Sequence, residues 1–261
     1  MQKMWTGGLC VLVLVSTLSS STALAQGESS FVDLVRRSGF IFQGTVKAIG
    51  EATPGIVREC NTAIVSVDRV LESQPPAGSK TGRDVTVRVR GANQVRPGQV
   101  ATFFTFVYAG GQSLGVEAVA ILPADDPRSL EDRIRAARSA MADEALARQL
   151  QSAALVVVGT VAAVRPGPRN PESEHDPLWS HATIRVTSAV KGRATEPVVV
   201  NFATNFDYLW ALAPKPKVGD TGIFLLQPDP GKKYRVSGFF LIDALDALPT
   251  SELDRVRRLL P

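Results

Sequence analysis

Apolar and polar residues alternate in short blocks along most of this chain, and the blocks come in two series. The clearest block sets Val85, Val87 and Val89 against Thr86, Arg88 and Arg90, the period of two expected of a half-buried strand. The same reading predicts strands over 40–49, 62–71, 85–89, 100–107 and 114–122. A second series follows over 155–164, 182–190, 198–202, 223–226 and 234–242. Turn residues separate the blocks: Pro75, Pro76 and Gly78, Arg96-Pro97-Gly98 and Gly110-Gly111 in the first series, then Lys191-Gly192, Val218-Gly219-Asp220 and Asp229-Pro230-Gly231 in the second. Helical spacing appears in three places. Phe31, Leu34 and Val35 open the first series, residues 129–153 form an Ala-, Arg-, Leu- and Glu-rich helix or helix pair between the two, and Leu253, Val256 and Leu260 mark a last helix over 251–260, capped by Thr250 or Ser251.

The two series are copies of one unit. Phe42-Gln43-Gly44-Thr45-Val46 returns as Val157-Val158-Gly159-Thr160-Val161, and the later strands return in the same order. Five short strands per copy favour a small closed barrel, because closure removes the edges that an open sheet would expose. A pair of small sandwiches is the alternative. The expected fold is therefore mainly β: two tandem five-stranded OB-like barrels joined by a helical linker, with a short C-terminal helix. The domains divide as a leader over 1–25, a first barrel over 26–125, a linker over 126–152 and a second barrel over 153–261. In each copy an x-Gly-Thr-Val strand comes first. An alternating strand follows, ending at Val190-Lys191-Gly192 (Val70-Leu71-Glu72 in the first copy), then a Val-x-Val strand. A glycine turn then opens an aromatic strand, over 98–106 and 219–226. This order resembles the tissue-inhibitor-of-metalloproteinase-like and netrin-module group of OB-fold domains, across nearly all of the chain after the leader. The resemblance implies the barrel fold and a binding or inhibitory role. The inhibitors of that group reach a protease zinc through an N-terminal Cys, and here no Cys lies near Gln26.

The leader has its own pattern. Lys3 precedes an apolar run from Leu9 to Leu18, and Ala23-Leu24-Ala25 forms a small-x-small cleavage site, which together read as a secretory signal. The run is too short to span a membrane, and no later run reaches the 18 apolar residues of a spanning helix. The expectation is a secreted or periplasmic protein with no transmembrane segment after cleavage. Removing Lys3 lowers the formal charge from +4 to +3. That near-neutral balance, with export, leads to an expectation of no nucleic-acid partner. Only Cys60 survives cleavage, so no internal disulfide forms and the fold rests on its apolar core. Beside a strand, Cys60 reads as a half-buried inert thiol; an intermolecular disulfide or a reactive thiol are the sharper readings.

Three groups carry candidate chemistry. Gly111-Gln112-Ser113-Leu114-Gly115 matches a nucleophile elbow, which needs a strand-to-helix turn and a downstream His. Ser113 instead falls between two strands, so a hairpin turn is expected. His175 and His181, near Glu172, Glu174 and Asp176, are the candidate metal ligands, though the surrounding prolines suggest a charged surface loop. Trp179, Phe206, Tyr208 and Trp210 all fall where the second copy is longer than the first. They make a candidate ligand surface for stacking on a protein, peptide or glycan. Alternatively Trp210 plugs the barrel end, with Leu209 and Leu212 packed beside it. No nucleotide or common enzyme signature is present and no cofactor is implied. The sequence therefore points to a non-catalytic binding or inhibitory module, with the second copy bearing the ligand and the first serving as scaffold. A structural envelope component and a hydrolase using Ser113 are the alternatives.

Overall fold

The computed structural model of the chain describes residues 30–89, 95–167, 175–194, 197–205, 207–228 and 236–260. The leader, Phe206, Glu172, Glu174 and residues 234–235 of the last predicted strand lie outside them. The chain divides between Ser139 and Ala140 into two units. The first unit holds α1 (30–36), β1 (Phe40–Ile49), β2 (Thr62–Ser73), β3 (Asp84–Arg88), β4 (Val100–Ala109) and β5 (Gly115–Pro123). Helix α2 (Pro127–Ser152) runs across the division. The second unit continues with β6 (Leu155–Pro166), β7 (Trp179–Lys191), β8 (Val198–Ala203), β9 (Thr221–Pro228), β10 (Phe239–Leu241), β11 (Ala247–Leu248) and α3 (Leu253–Leu259).

Both units close into the expected barrel. The first has ring order β1-β2-β3-β5-β4, with β4 returning to β1. The second runs β6-β7-β8-β10-β9, with β9 returning to β6. In each ring the third and fifth strands pair in parallel, and closure satisfies the backbone groups an edge would expose. Phe40, Phe42 and Phe103 fill the first interior with Val65, Val85, Val87 and Val116. Phe42 stacks on Phe40 at 4.9 Å and on Phe103 at 5.0 Å. The second interior is built from Val157, Ile184, Val200, Phe202, Phe224 and Leu226.

The copies agree down to their irregularities. The β1–β2 register shifts at Ile41/Phe42, Gln43/Gly44 and Val46/Ala48, and the β6–β7 register shifts at Val156/Val157, Val158/Gly159 and Val161/Ala163. Gly44 and Gly159 sit at matching shifts because the strands touch there. A Cβ on Gly44 would lie 2.5 Å from the Ser66 carbonyl oxygen, and one on Gly159 would lie 2.5 Å from that of Arg185. Each is a close backbone approach that only glycine permits.

Two features differ from the expected outline. The helix between the barrels is divided in its loyalties. Leu130, Ile134 and Ala137 cover Phe31, Val35, Ile41 and Phe104 in the first unit. Leu146 and Leu150 cover Val156, Ile223 and Leu225 in the second, together with Val256 of α3. Thus α2 joins the closing helix of one repeat to the opening helix of the next, and the repeat is helix, barrel, helix. Its stability comes from these two buried faces.

The fifth strand of the second copy is also shorter than predicted. β10 pairs with β9 at Gln227 and Pro228, and β11 pairs with the same strand at Ile223 and Phe224. In the first copy one unbroken β5 makes the matching contacts with β4. The break in the second copy is a 3-residue 3-10 turn, Ala244–Asp246. The last helix starts later than expected as well. Pro249, with its φ of −65°, precedes a 3-10 turn over Thr250–Glu252, and Glu252 is the N-cap without a side-chain bond. Proline fixes that φ and starts the turn early, so Thr250 and Ser251 lie inside it and neither caps α3.

Candidate functional site

In strand β7 alternate residues leave the barrel. Ala182, Ile184 and Val186 point inward, and Trp179 and His181 lie on the outer face. Across β7–β8, Trp179 opposes Ala203 and His181 opposes Asn201. On β10, Phe240 lies beside Asn201 in the parallel register. Trp179, Ala203 and Phe240 thus share one patch of the outer face of the second, third and fifth strands, where barrels of this class carry ligands.

The insertion between β8 and β9 lays Trp210 on that patch. Trp179 meets Trp210 edge-on at 5.9 Å and Phe240 at 5.2 Å. The structure thus brings Trp179 and Trp210 together, but as a small buried core: they are 6% and 8% exposed. This corrects the picture of two open stacking platforms. Aromatic rings of this size gain more from burial against each other than from water.

Hydrogen bonds staple the insertion to the segment before β7. Trp210 Nε1–H donates to the His175 carbonyl at 3.0 Å. Thr204 N and Oγ1 donate to the Leu178 carbonyl, and Asn205 takes Leu178 N–H and gives to the Asp176 carbonyl. His175 Nδ1 lies 2.7 Å from Asp207 Oδ2, and that bond holds the part-buried Asp207 carboxyl below its ordinary value. Two successive turns, Trp210 N–H to Asp207 and Ala213 N–H to Trp210, shape the loop. With Trp210 and Ala213 turned inward, three large side chains between and before them face water. Tyr208 is 76%, Leu209 53% and Leu212 80% exposed. The two leucines therefore do not pack beside Trp210, as expected of a plug. Trp210→Phe should keep the ring contacts and lose the bond to His175, lowering stability by about 1 kcal/mol. Urea unfolding followed by Trp179 fluorescence measures it, and an unchanged midpoint would show the bond to be idle.

The metal reading gains no support from the described residues, and Glu172 and Glu174 of the candidate cluster lie outside them. Among the described residues no group of three or more His, Cys, Asp or Glu could hold an ion. His175 is held by Asp207, while His181 is fixed in β7 opposite Asn201. Ser113 lies in the hairpin between β4 and β5, as expected, and both histidines of the chain belong to the other unit. Cys60 is exposed, not half-buried, because the loop before β2 turns it outward. In the chain lacking residues 1–25, one thiol should react with Ellman's reagent without denaturant; a thiol seen only after unfolding would contradict this placement.

The matching face of the first barrel is ionic. Arg88 stands where the second copy has Asn201. It pairs with Glu59 at 2.9 Å, lies 3.8 Å from Glu117 and covers the Tyr108 ring at 4.4 Å. Its charge is met by its own neighbours. Sequence reasoning missed Phe240, Asp246 and Lys215. Phe240 lay in a predicted strand, but its outward direction depended on where that strand breaks. The other two are single charged residues with no motif around them.

No family model matches the chain, and no curated protein matches it. Among solved structures it is similar to a deletion mutant of the single-stranded DNA binding protein from Thermus aquaticus. The identity is 14%, over 80% of this chain and 92% of that one, with a TM-score of 0.19. A likeness this slight carries no argument for what this chain binds. The expectation that nucleic acid is excluded as a partner is corrected: a net charge near neutral does not rule that ligand class out.

Proposed function

We propose that the protein is an exported, non-catalytic binding module whose ligand surface is the insertion end of the second barrel. One observation carries the reading. Tyr208, Leu209 and Leu212 are held in water by a loop anchored on the buried Trp179–Trp210–Phe240 cluster. Clustered exposed apolar side chains mark interaction sites, and a rigid anchor lowers the ordering cost of binding. The exposed side chains are apolar with one tyrosine hydroxyl, chemistry suited to a protein or peptide and secondarily to a glycan. The leader pattern supports export. The resemblance to the metalloproteinase-inhibitor and netrin group supports a binding or inhibitory role. The hairpin setting of Ser113 supports the absence of catalysis.

The test screens the mature protein against a displayed peptide library and a glycan array. The variant Tyr208→Ser/Leu209→Ser/Leu212→Ser is screened in parallel, after its melting temperature has been matched to wild type. Ligands captured by wild type and lost by the variant support the site. Ligands retained by the variant, or none captured, would overturn it. The same exposed side chains also favour self-association, so sedimentation of both proteins separates that reading: a wild-type oligomer dissolved by the triple change assigns the surface to a second copy. Mass spectrometry of the exported chain should give an N-terminus at Gln26.

A further inference from the structure

A cavity of about 310 Å³ opens where the end of the β8–β9 insertion meets β11. Pro214, Pro216 and Pro249 wall it beside Leu248, and its charged groups are Lys215 and Asp220. Proline side chains lose almost no rotamer entropy on contact, so these walls are ready-formed. Lys215 is the single cationic residue of the lining. Its Nζ donates to the Trp210 carbonyl at 2.9 Å, and among the described residues no carboxylate pairs with it. Asp220 Oδ2 is already engaged by the Lys217 N–H at 2.7 Å. An ammonium has three donors, so Lys215 retains hydrogen-bonding capacity beside an apolar wall. Its partial burial pushes its pKa down, because desolvation disfavours the charged form.

We infer that this cavity takes a small ligand with a carboxylate next to an apolar group, the carboxylate pairing with Lys215 Nζ and the apolar group lying on the three prolines. An anion supplies a countercharge that no carboxylate pairing among the described residues supplies, and in a partly desolvated cleft that pairing gains more than it would in water. Asp220 sets the limit on charge: a phosphate dianion is repelled where a monoanion is accepted. The volume is at the small end of ligand pockets, the size of a capped amino acid. The cavity does not include Tyr208, Leu209 or Leu212, so it stands or falls separately from the surface proposed above.

The test titrates the isotope-labelled mature protein with N-acetyl-leucine and with N-acetyl-leucinamide, followed by amide NMR. N-acetyl-leucine should saturably move the signals of Lys217, Thr221, Gly222 and Leu248. The uncharged amide should bind about tenfold more weakly or worse. Lys215→Met, which keeps the aliphatic stem, should weaken N-acetyl-leucine to the same degree, and Lys215→Arg should restore it. If the methionine variant does not fold, the acid-against-amide comparison and the arginine variant still decide. Acetyl-Ala-Ala-Leu with a free C-terminus identifies the source of the carboxylate. Binding equal to N-acetyl-leucine assigns the site to peptide C-termini, and weaker binding assigns it to free small acids. Equal affinity for acid and amide, undiminished binding by Lys215→Met, or no saturable shift overturns the inference.

Discussion

Gly159→Ala should destabilise the second barrel by about 3 kcal/mol, the upper range for an added methyl group in a packed site. The new Cβ would stand 2.5 Å from the Arg185 carbonyl oxygen and 2.7 Å from Ile184 Cγ2. A side chain can rotate away, but the carbonyl belongs to the β6–β7 ladder and can move only by breaking register at its bulge. Trp179 and Trp210 are the only tryptophans after the leader, so the fluorescence-detected urea transition reports the second unit. Its midpoint should fall with the slope unchanged. Gly44→Ala repeats the clash in the first unit, at 2.5 Å from the Ser66 carbonyl and 2.7 Å from Val65 Cγ1, and should lower the transition seen by far-UV circular dichroism. Gly55→Ala is the control. Its φ is +83° but nothing lies within 4 Å of the added methyl, so it carries only the backbone cost of about 1 kcal/mol. Should Gly159→Ala cost no more than Gly55→Ala, the close approach is not what selects glycine.

How far these features were legible depended on whether they left a periodic signal. The x-Gly-Thr-Val repeat located β1 and β6, and the valine alternation located β3. These patterns carry the barrel because a two-residue period dictates which face is buried. The fifth strand of the second copy failed the same reading. Its Phe239, Phe240 and Leu241 are all apolar, so no alternation reveals that Leu241 enters the core while Phe240 faces out. The three-residue turn Ala244–Asp246 then breaks the pairing, and without the intact β5 beside it the break looks like a strand end. The helix between the units was visible, but its division was not. Leu130 and Leu150 repeat at the same spacing, and only the packing shows that they serve different barrels. At the site, the sequence placed Trp179, Tyr208 and Trp210 in one region from the length difference between the copies. Which rings face water was beyond it, since a turn only a few residues long sends Trp210 inward and Tyr208 outward with no period to read.

That same break sets the second large effect. Asp246 is wholly buried, yet it is well supplied with partners. Gln149 and Gln227 donate side-chain N–H to Oδ1 at 2.6 and 3.0 Å, and the backbone N–H groups of Ile242 and Asp243 donate to Oδ2, both at 2.8 Å. One carboxylate therefore ties α2, β9 and the interrupted fifth strand together. Asp246→Ala strands these four donors, and the second barrel should lose about 3–5 kcal/mol, read as a lower urea midpoint in tryptophan fluorescence. Asp246→Asn separates charge from shape. Burial raises the Asp246 pKa above its ordinary 3.8, although the hydrogen bonds pull it back. The folded chain thus holds this proton more tightly than the unfolded chain does. Below 3.8 both states are protonated, so this contribution is fully present and does not vary with pH. As the pH rises past 3.8 the unfolded chain ionises first, and stability falls until the pH passes the raised folded value. Asparagine carries no such proton, so the variant should lose this declining contribution while keeping an acceptor for Ile242 and Asp243. An alanine variant within about 1 kcal/mol of wild type would mean that the turn holds itself without the carboxylate. Identical pH slopes for wild type and asparagine would mean that Asp246 titrates alike in both states.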